Sequence, residues 1–514
     1  MIRVEKVKMF CLRMLKSPTF YFCLIFMLLN LFFTKQILNS NELGGFLVVG
    51  SIEVLIEIIL VGFLYYLRRK GAPLEKQFLL VAIALGAMFI VLLPPGQSPD
   101  EQSYFRRAYE ISNGVLVSNV VNEETGAAGS WLPGDIGDSL REFPSKGTYS
   151  EILSEIGDNN MGEYSDQAHT NTALYNFVCY IPQTLAILVG KVFGFSILGM
   201  AYLVEIFNFA VWVILIYFAI KLTPKFKSII LFIALLPIAL QEATSLAPDS
   251  LTIGLSMFLV AYALYLTYVK KNILKKRELA LLCIMAIVIG FCKIVYLPLV
   301  LLFVMIPHER FGGKKKKWWF LGILALVVLG LNLLWLMISS QFLIEFNPGV
   351  NSREQLAGIL RNPLGYLMVI VNTANVNGYF WLSSMLGMML GSFSFGLPIM
   401  TFFVSFGMLV VLFMQRDETL KMKNSVKCLF ALVFLAIFGL ICTSLYLQWT
   451  VVGAEVIDGI QGRYFLPILL LLPVIICRVN NKKHHAKLVS DKAILHYSLF
   501  INILACVTFF AQNV

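Results

Sequence analysis

Charged residues are scarce in this sequence, and their scarcity limits the class of protein that it encodes. Asp, Glu, Lys and Arg make up only 14% of the 514 residues, whereas a soluble protein carries about 25%. Hydrophobic residues make up 58%, and many apolar runs reach the roughly 20 residues that a helical membrane span requires. The composition therefore predicts an all-α polytopic membrane protein.

Paired cysteines and the short motifs of several common enzyme classes are also missing. The nine cysteines nearly all lie in or beside apolar runs, and none forms a CxxC. A disulfide framework or a structural zinc site is therefore not expected. The sequence contains no HExxH, P-loop or GxSxG motif. No small-residue cleavage site follows the basic and then apolar N-terminal stretch, so we expect a retained first helix.

The net charge of +11 is distributed in a way that indicates orientation, not nucleic-acid binding. The basic residues fall in short clusters between apolar runs, as the positive-inside rule describes. Five basic residues against one acid in residues 1–16 predict a cytoplasmic N-terminus of a multi-pass protein in the cell membrane. Counting crossings from there places residues 95–171 on the outer side. We expect no nucleic-acid partner.

Hydropathy and the basic clusters predict about 13 membrane crossings, within a range of about 11 to 14. An N-terminal unit (1–70) precedes a core (71–480) with outer loops 95–171, 339–396 and 448–463, and a basic loop and last helix follow (481–514). Short amphipathic helices are expected in 135–156. Whether 172–193 crosses remains open, since Pro182 interrupts it. The predicted spans are about 18–38, 46–67, 77–93, 196–220, 229–247, 251–269, a hairpin within 279–306, 318–338, 397–414, 427–447, 464–478 and 493–511.

Two carboxylates in the second predicted span have two interpretations. Glu53 and Glu57 are four residues apart and therefore share one helical face. They are either turned toward other helices of the protein or form a second polar site within the membrane.

The stretch PDEQSYFRRAYEISNG (99–114) brings acidic and basic residues together just after the third predicted span. Asp100 and Glu101 follow directly on the third predicted span, and Arg106 and Arg107 come shortly after them. Carboxylates are costly to keep beside hydrocarbon, so their position at the mouth of a span predicts a functional site.

Further charged residues are predicted to lie on the same side of the membrane. Asp249 is in a turn between two spans, Lys293 is at the tip of the hairpin, and Arg463 is in the last outer loop. Guanidinium binds phosphate through paired hydrogen bonds and lysine binds it as a point charge. Acids and cations at a lipid boundary therefore predict an anionic lipid substrate, although snorkelling to the interface is an equal alternative for Lys293.

These segments resemble a known family. The stretch from Pro99 to Tyr109 is similar to the signature PDE-x-x-H-x-x-RAY of bacterial membrane proteins with domain of unknown function 2142. SLAPDSLTIGLSMF, CKIVYLPLVLL and IQGRYFLP agree with that family in the same order, and the likeness extends over roughly residues 80–480. The histidine of the signature is Tyr104 here, so no role of an imidazole carries over.

The family resembles the GT-C glycosyltransferases, which use polyprenyl-phosphate sugars on the outer membrane face. The resemblance implies a GT-C-like helical arrangement and a transfer with inversion to a cell-envelope polysaccharide or glycolipid. It implies Asp100 as the catalytic base and Glu101 as an alternate base or substrate orienter, with Lys293 and Arg463 binding the donor phosphate. The other residues expected to bind substrate are Arg106, Arg107, Asp249, Tyr296, Gln461 and Tyr464.

The sequence leaves the cofactor and two other functions open. Asp100, Glu101 and Asp249 offer oxygen ligands that would suit a divalent cation such as Mg²⁺ or Mn²⁺. An envelope polysaccharide polymerase or ligase would also use outer arginines but would not depend on the acidic pair. A transporter or flippase of lipid-linked sugar would have polar residues distributed through the middle of the membrane.

The predicted orientation can be tested at residue 100. We expect the Asp100→Cys variant to react with a membrane-impermeant maleimide in intact cells, above the labelling of the native cysteines. Lys315→Cys, in the predicted cytoplasmic lysine cluster 314–317, should react only after permeabilisation. The reverse pattern would show that the acidic pair faces the cytoplasm.

Overall fold

The computed structural model describes residues 18–38, 43–134, 136–159, 161–344, 348–415, 422–476 and 488–514. The predicted cytoplasmic tail 1–16 and most of the basic loop after residue 480 lie outside this part of the chain.

Helices dominate what is described. In chain order they are α1 Pro18–Ile37, α2 Leu43–Arg69, α3 Leu74–Leu92, α4 Glu101–Ser112, α5 Ile136–Ser139, α6 Thr148–Glu155, α7 Thr170–Ala173, α8 Ile181–Phe193, α9 Ile197–Leu222, α10 Lys227–Ala234, α11 Pro237–Ala243, α12 Asp249–Tyr268, α13 Lys276–Cys292, α14 Lys314–Ser339, α15 Ser352–Arg361, α16 Pro363–Met385, α17 Ile399–Met414, α18 Asn424–Gln448, α19 Leu466–Leu469, α20 Leu471–Ile476 and α21 Asp491–Asn513.

Eight of the described helices are long and apolar enough to cross a membrane. They confirm a polytopic helical membrane protein, but the predicted count of about 13 crossings is not confirmed. α17 and the short helices around 177–193 and 294–305 are apolar but shorter than these eight. The eight are α1, α2, α3, α9, α12, α14, α18 and α21.

Two predicted spans are wrong as single helices. Residues 229–247 form α10 and α11, which break at Leu236, whose backbone is extended (φ −64°, ψ 143°). Proline disfavours a helical conformation in the residue before it, and Pro237 follows this residue directly. The described part of 464–478, which ends at 476, is divided into a 3₁₀ turn, α19 and α20, and it contains Pro467 and Pro473.

The central helices of the bundle are α12 and α21. Most residues of both are buried within the protein, whereas few residues of α1 and α14 are buried. Phe509 of α21 packs edge-on against Phe89 of α3, with ring centroids 5.2 Å apart, and against Phe395, at 4.9 Å. Close packing of this kind, not water exclusion, stabilises helices inside a bilayer.

The two intramembrane carboxylates of α2 are turned toward other helices. Asn30 of α1 donates to Glu57 (2.8 Å), and Thr34 donates to Glu53 (2.7 Å). Asn30 also donates to the backbone oxygen of Phe500 in α21, at 2.9 Å. Hydrogen bonds thus join the N-terminal pair of helices to the central helix, which favours the structural interpretation of this pair.

The polar segment 95–171 folds as a small unit of mixed structure. The predicted amphipathic helices within 135–156 are present as α5 and α6. A three-stranded antiparallel sheet was not predicted and is a correction to the all-α class; it has the order β1 (Asn119–Asn122), β2 (Ala127–Pro133), β3 (Tyr164–Ala168). Its strands lack the alternation of apolar and polar residues that identifies a strand in sequence. A second antiparallel pair consists of two strands of two residues each, β4 (Met389–Leu390) and β5 (Phe395–Gly396).

The chain divides at Lys293, as the sequence predicted. α13 ends at Cys292, Lys293 is extended (φ −153°, ψ 118°), and a 3₁₀ helix continues from Ile294 to Met305. Pro298 lies inside that 3₁₀ helix. The break is what allows the lysine side chain to leave the apolar run.

Close helix packing at Gly86 gives a test of this architecture. A Cβ at Gly86 of α3 would lie 2.1 Å from the Phe209 ring of α9, so we expect Gly86→Ala to cost about 1–3 kcal/mol through overpacking. Gly439→Ala in α18, where nothing lies within 4 Å, should be neutral or stabilising by up to about 1 kcal/mol. Thermal unfolding in detergent measures both, and equal effects would contradict the α3–α9 contact.

Candidate functional site

Arg463 is held by a tight approach of its loop to α16. It lies in a 3₁₀ turn, Gly462–Phe465, and the Gly462 amide donates to the Ser384 hydroxyl at 3.1 Å. A Cβ at Gly462 would lie 2.2 Å from the Met385 nitrogen and 2.5 Å from the Trp381 oxygen. The glycine of the QGRYFLP motif is therefore required by a backbone contact, and this contact fixes the residue that follows it.

The buried guanidinium of Arg463 lies between two carboxylates. Its Nη2 is 3.4 Å from Oδ2 of Asp100, and its Nη1 is 3.5 Å from Oε1 of Glu242. The contact with Glu242 lacks hydrogen-bond geometry. Neither oxygen of Glu242 has a hydrogen-bond partner among the described residues, and the same holds for Nε and Nη1 of Arg463. Buried donors without acceptors are costly. Arg463 therefore keeps two buried nitrogens whose N–H groups make no hydrogen bond within the described residues.

Asp100 is the accessible carboxylate of this group. Its side chain is 45% exposed, compared with 1% for Glu242. It precedes α4 in a left-handed conformation (φ 64°, ψ 9°), which is strained for a residue with a Cβ and is common at functional sites. The preceding turn is tightly packed, because a Cβ at Gly96 would lie 2.7 Å from the Leu140 backbone.

Glu101, next to it, connects two segments of backbone. One oxygen accepts from the amides of Gly96 (2.7 Å) and Ser98 (3.0 Å), and the other accepts from Leu246 (2.7 Å). Burial nevertheless raises the pKa of Glu101 to about 7, although these N–H groups oppose the shift. The contacts tie the start of the polar segment to the turn before α12, so Glu101 positions its neighbours.

Lys293 and Asp249 form a buried ion pair beside Arg463. Lys293 Nζ is 2.6 Å from Oδ1 of Asp249 and lies 5.3 Å from the centroid of the Tyr464 ring. The Arg463 guanidinium carbon is 5.5 Å from the same centroid. Tyr296 donates its hydroxyl to the Tyr464 backbone oxygen at 2.9 Å. The Tyr464 ring thus connects the two cations, and Tyr296 fixes the backbone of this ring.

Arg106 and Arg107, also expected at the site, lie elsewhere in the polar segment. Arg106 donates to Gln167 of β3 at 2.8 Å. Arg107 is fully buried, pairs with Glu110 and donates to the Leu116 oxygen at 2.6 Å. Arg106 thus holds β3 against α4, and Arg107 holds the segment before β1 against α4. Neither is hydrogen-bonded to Asp100 or Arg463 in the described structure.

Three other polar residues border the site. Glu242 was not identified from the sequence, because it lies in an apolar run assigned to a span; a charge inside such a run was the available signal. The hydroxyl of Tyr104 is within electrostatic range of Asp100 and Arg463, and burial raises its pKa well above the ordinary value. The buried Oε1 of Gln461 has no hydrogen-bond partner among the described residues.

The expected oxygen ligands for a divalent cation are not brought together. Both oxygens of Glu101 accept backbone N–H groups, and Asp249 is paired with Lys293. In the part of the chain that the structure describes, no cluster of three or more His, Cys, Asp or Glu side chains is arranged to hold a metal ion. These residues therefore do not fit the suggested Mg²⁺ or Mn²⁺.

Fold and site together define a polytopic helical membrane protein with a buried cluster of paired charges where its polar segment meets the helices. The chain belongs to the family of predicted membrane proteins with domain of unknown function 2142, whose family model matches residues 83–472. That range includes every residue of the charged cluster. No curated protein and no solved structure matches the chain.

Glu101→Gln is expected to remove part of the pH dependence of stability. The pKa of Glu101 is about 7 in the folded protein against 4.5 ordinarily, so the folded state binds a proton that the unfolded state has released. This contribution to the free energy of unfolding is full below pH about 4.5 and is lost as the pH rises to about 7. The unfolding midpoint of Glu101→Gln in detergent should therefore fall less over this range than that of the wild type.

The control is Glu455→Gln, which removes an exposed carboxylate and should keep the slope of the wild type. If Glu101→Gln also keeps that slope, Glu101 does not titrate in this range.

Proposed function

We propose that this protein is a membrane glycosyltransferase that transfers a sugar from a polyprenyl-phosphate donor to a cell-envelope polysaccharide or glycolipid. The observation that carries the proposal is the Arg463 guanidinium, buried beside an accessible carboxylate with two nitrogens lacking hydrogen-bond partners. A guanidinium in this state suits the phosphate of a donor whose hydrocarbon chain remains in the bilayer.

The cluster provides the groups that this transfer requires. The acceptor hydroxyl attacks the anomeric carbon and gives its proton to Asp100, which acts as the general base. The bond between the anomeric carbon and the phosphate oxygen breaks, and its electron pair leaves with the polyprenyl phosphate. Because the attack comes from the face opposite the leaving group and no covalent intermediate forms, the configuration at the anomeric carbon inverts.

Charge on the departing phosphate is offset by Arg463, whose Nε and Nη1 donors become satisfied in the complex. Lys293 provides a second cation beside Arg463, and its Nζ is held 2.6 Å from Oδ1 of Asp249. Glu242 holds the second side of the guanidinium and Glu101 holds the backbone before Asp100, so both act by positioning. Among these four carboxylates, Asp100 is the base because it is the one that an acceptor can reach.

The proposed orientation follows from the basic clusters of the sequence. The lysines of 314–317 and the basic residues of 270–277 would face the cytoplasm under the positive-inside rule. The polar segment and the charged cluster would then open on the outer side of the cell membrane. Lipid-linked donors and envelope acceptors meet on that side.

Transfer can be measured with purified protein and a radiolabelled polyprenyl-phosphate sugar in the presence of envelope glycolipid. We expect the wild type to release free polyprenyl phosphate and Asp100→Asn to be slower by at least about 10²-fold, because the amide cannot accept the proton. Glu455→Gln, which removes an exposed carboxylate of the loop before Arg463, should keep the rate of the wild type.

Other outcomes would favour the alternative functions. Unchanged lipid, together with movement of the donor across vesicle membranes, would favour a transporter or flippase. Transfer of whole oligosaccharides that Asp100→Asn leaves intact would favour a polymerase or ligase.

A further inference from the structure

A cleft of about 460 Å³ opens on the three-stranded sheet of the polar segment, away from the charged cluster. Its lining combines one exposed indole, two amides and two carboxylates, and it includes no lysine or arginine. The residues that give the cleft its chemistry are Asn113, Asn119, Val121, Glu123, Trp131 and Asp166.

The register of the sheet produces this cleft. Trp131 of β2 is paired with Asp166 of β3, and Gly129 of β2 is paired with Asn119 of β1. Side chains two residues apart in a strand share a face, so Trp131 and Gly129 lie on the same side. Gly129 itself is closely packed, because a Cβ there would lie 2.2 Å from the Gln167 backbone oxygen. The Trp131 indole is 60% exposed, and Asn119 and Asp166 of the neighbouring strands line the cleft with it.

We propose that this cleft binds an uncharged glycan chain. Sugar rings have apolar faces edged by hydroxyl groups; an exposed indole covers such a face, and carboxylate and amide oxygens accept hydrogen bonds from the hydroxyls. Asp166 and Glu123 serve as acceptors. The side-chain oxygen of Asn113 accepts from Lys191 at 2.5 Å, which leaves the NH₂ group of Asn113 for the ligand.

Charge distinguishes this cleft from the site around Arg463. The lining of the cleft has two carboxylates and no cation, which disfavours a phosphate, whereas the site around Arg463 contains two cations, Arg463 and Lys293, among its carboxylates. The two sites therefore suit different portions of a glycosylation reaction. The cleft takes the neutral glycan, and the cluster takes the anionic lipid carrier.

Helix α4 connects the two sites. Asp100 immediately precedes the helix and Asn113 immediately follows its 12 residues, a separation of about 20 Å at 1.5 Å per residue. A single sugar cannot span this distance, so an acceptor held in the cleft and reacting at Asp100 must be an extended chain. This last step rests on the proposed transferase function, whereas glycan binding in the cleft does not.

The test is direct binding, with no need for turnover. Purified full-length protein in detergent is applied to an array of neutral oligosaccharides built from hexoses and N-acetylhexosamines, with sulfated oligosaccharides and oligolysine peptides alongside. We expect binding of neutral oligosaccharides, weakened by about tenfold in Trp131→Ala and also reduced in Asp166→Asn. Phe143→Ala removes an equally exposed aromatic of the same segment (61% exposed) and should bind as the wild type does.

Failure to bind any neutral oligosaccharide, binding that Trp131→Ala leaves unchanged, or binding of the peptides alone would overturn the proposal. Unfolding midpoints equal to the wild type would show that both variants fold. Binding that depends on Trp131 without any sugar transfer would contradict the transferase and leave the cleft in place. Transfer that is insensitive to Trp131→Ala, with no binding, would contradict the cleft alone.

Discussion

Burial of the Arg463 guanidinium is the constraint on which the rest of the structure depends. Moving such a charge out of water costs several kcal/mol unless carboxylates and hydrogen bonds compensate for it. Here Asp100 and Glu242 compensate from opposite sides, and Lys293 with Asp249 adds a second pair beside it. Arg463 and these four residues come from segments separated by up to 363 positions, so the charges can meet only after most of the helices have packed.

Irregular backbone surrounds this cluster, because several helices break or begin beside its charged residues. Leu236, Lys293 and Asp100 all have non-helical conformations where their helices break or begin. Backbone N–H groups freed by such breaks need acceptors inside a membrane protein. Glu101 supplies three of these acceptor contacts. Glu101 is therefore structural, whereas the side chain of Asp100 remains exposed.

The sequence was sufficient for the long helices and for part of the site. Long apolar runs between basic clusters identify α2, α3, α9, α14 and α18, because length and hydropathy decide whether a helix spans a membrane. Counting the predicted membrane crossings also assigned Asp100, Lys293 and Arg463 to one side of the membrane, and the structure brings these three residues together. Glu242 and the sheet could not be found this way. Glu242 lies in a mostly apolar run that was assigned to a span, and strands such as NVVN and YSDQA have no period that separates them from loops.

The last described helix has a consequence for how the protein is made. α21 fills the centre of the bundle, and its Asn513 exchanges two hydrogen bonds with Gln97, at 2.7 and 3.2 Å, in the turn that leads to Asp100. A ribosome produces this helix after all the others described. The earlier helices are therefore made before the helix that fills the centre of the bundle. The turn before Asp100 therefore reaches its final geometry only after α21 has been made, and a chain that lacks α21 carries no assembled site.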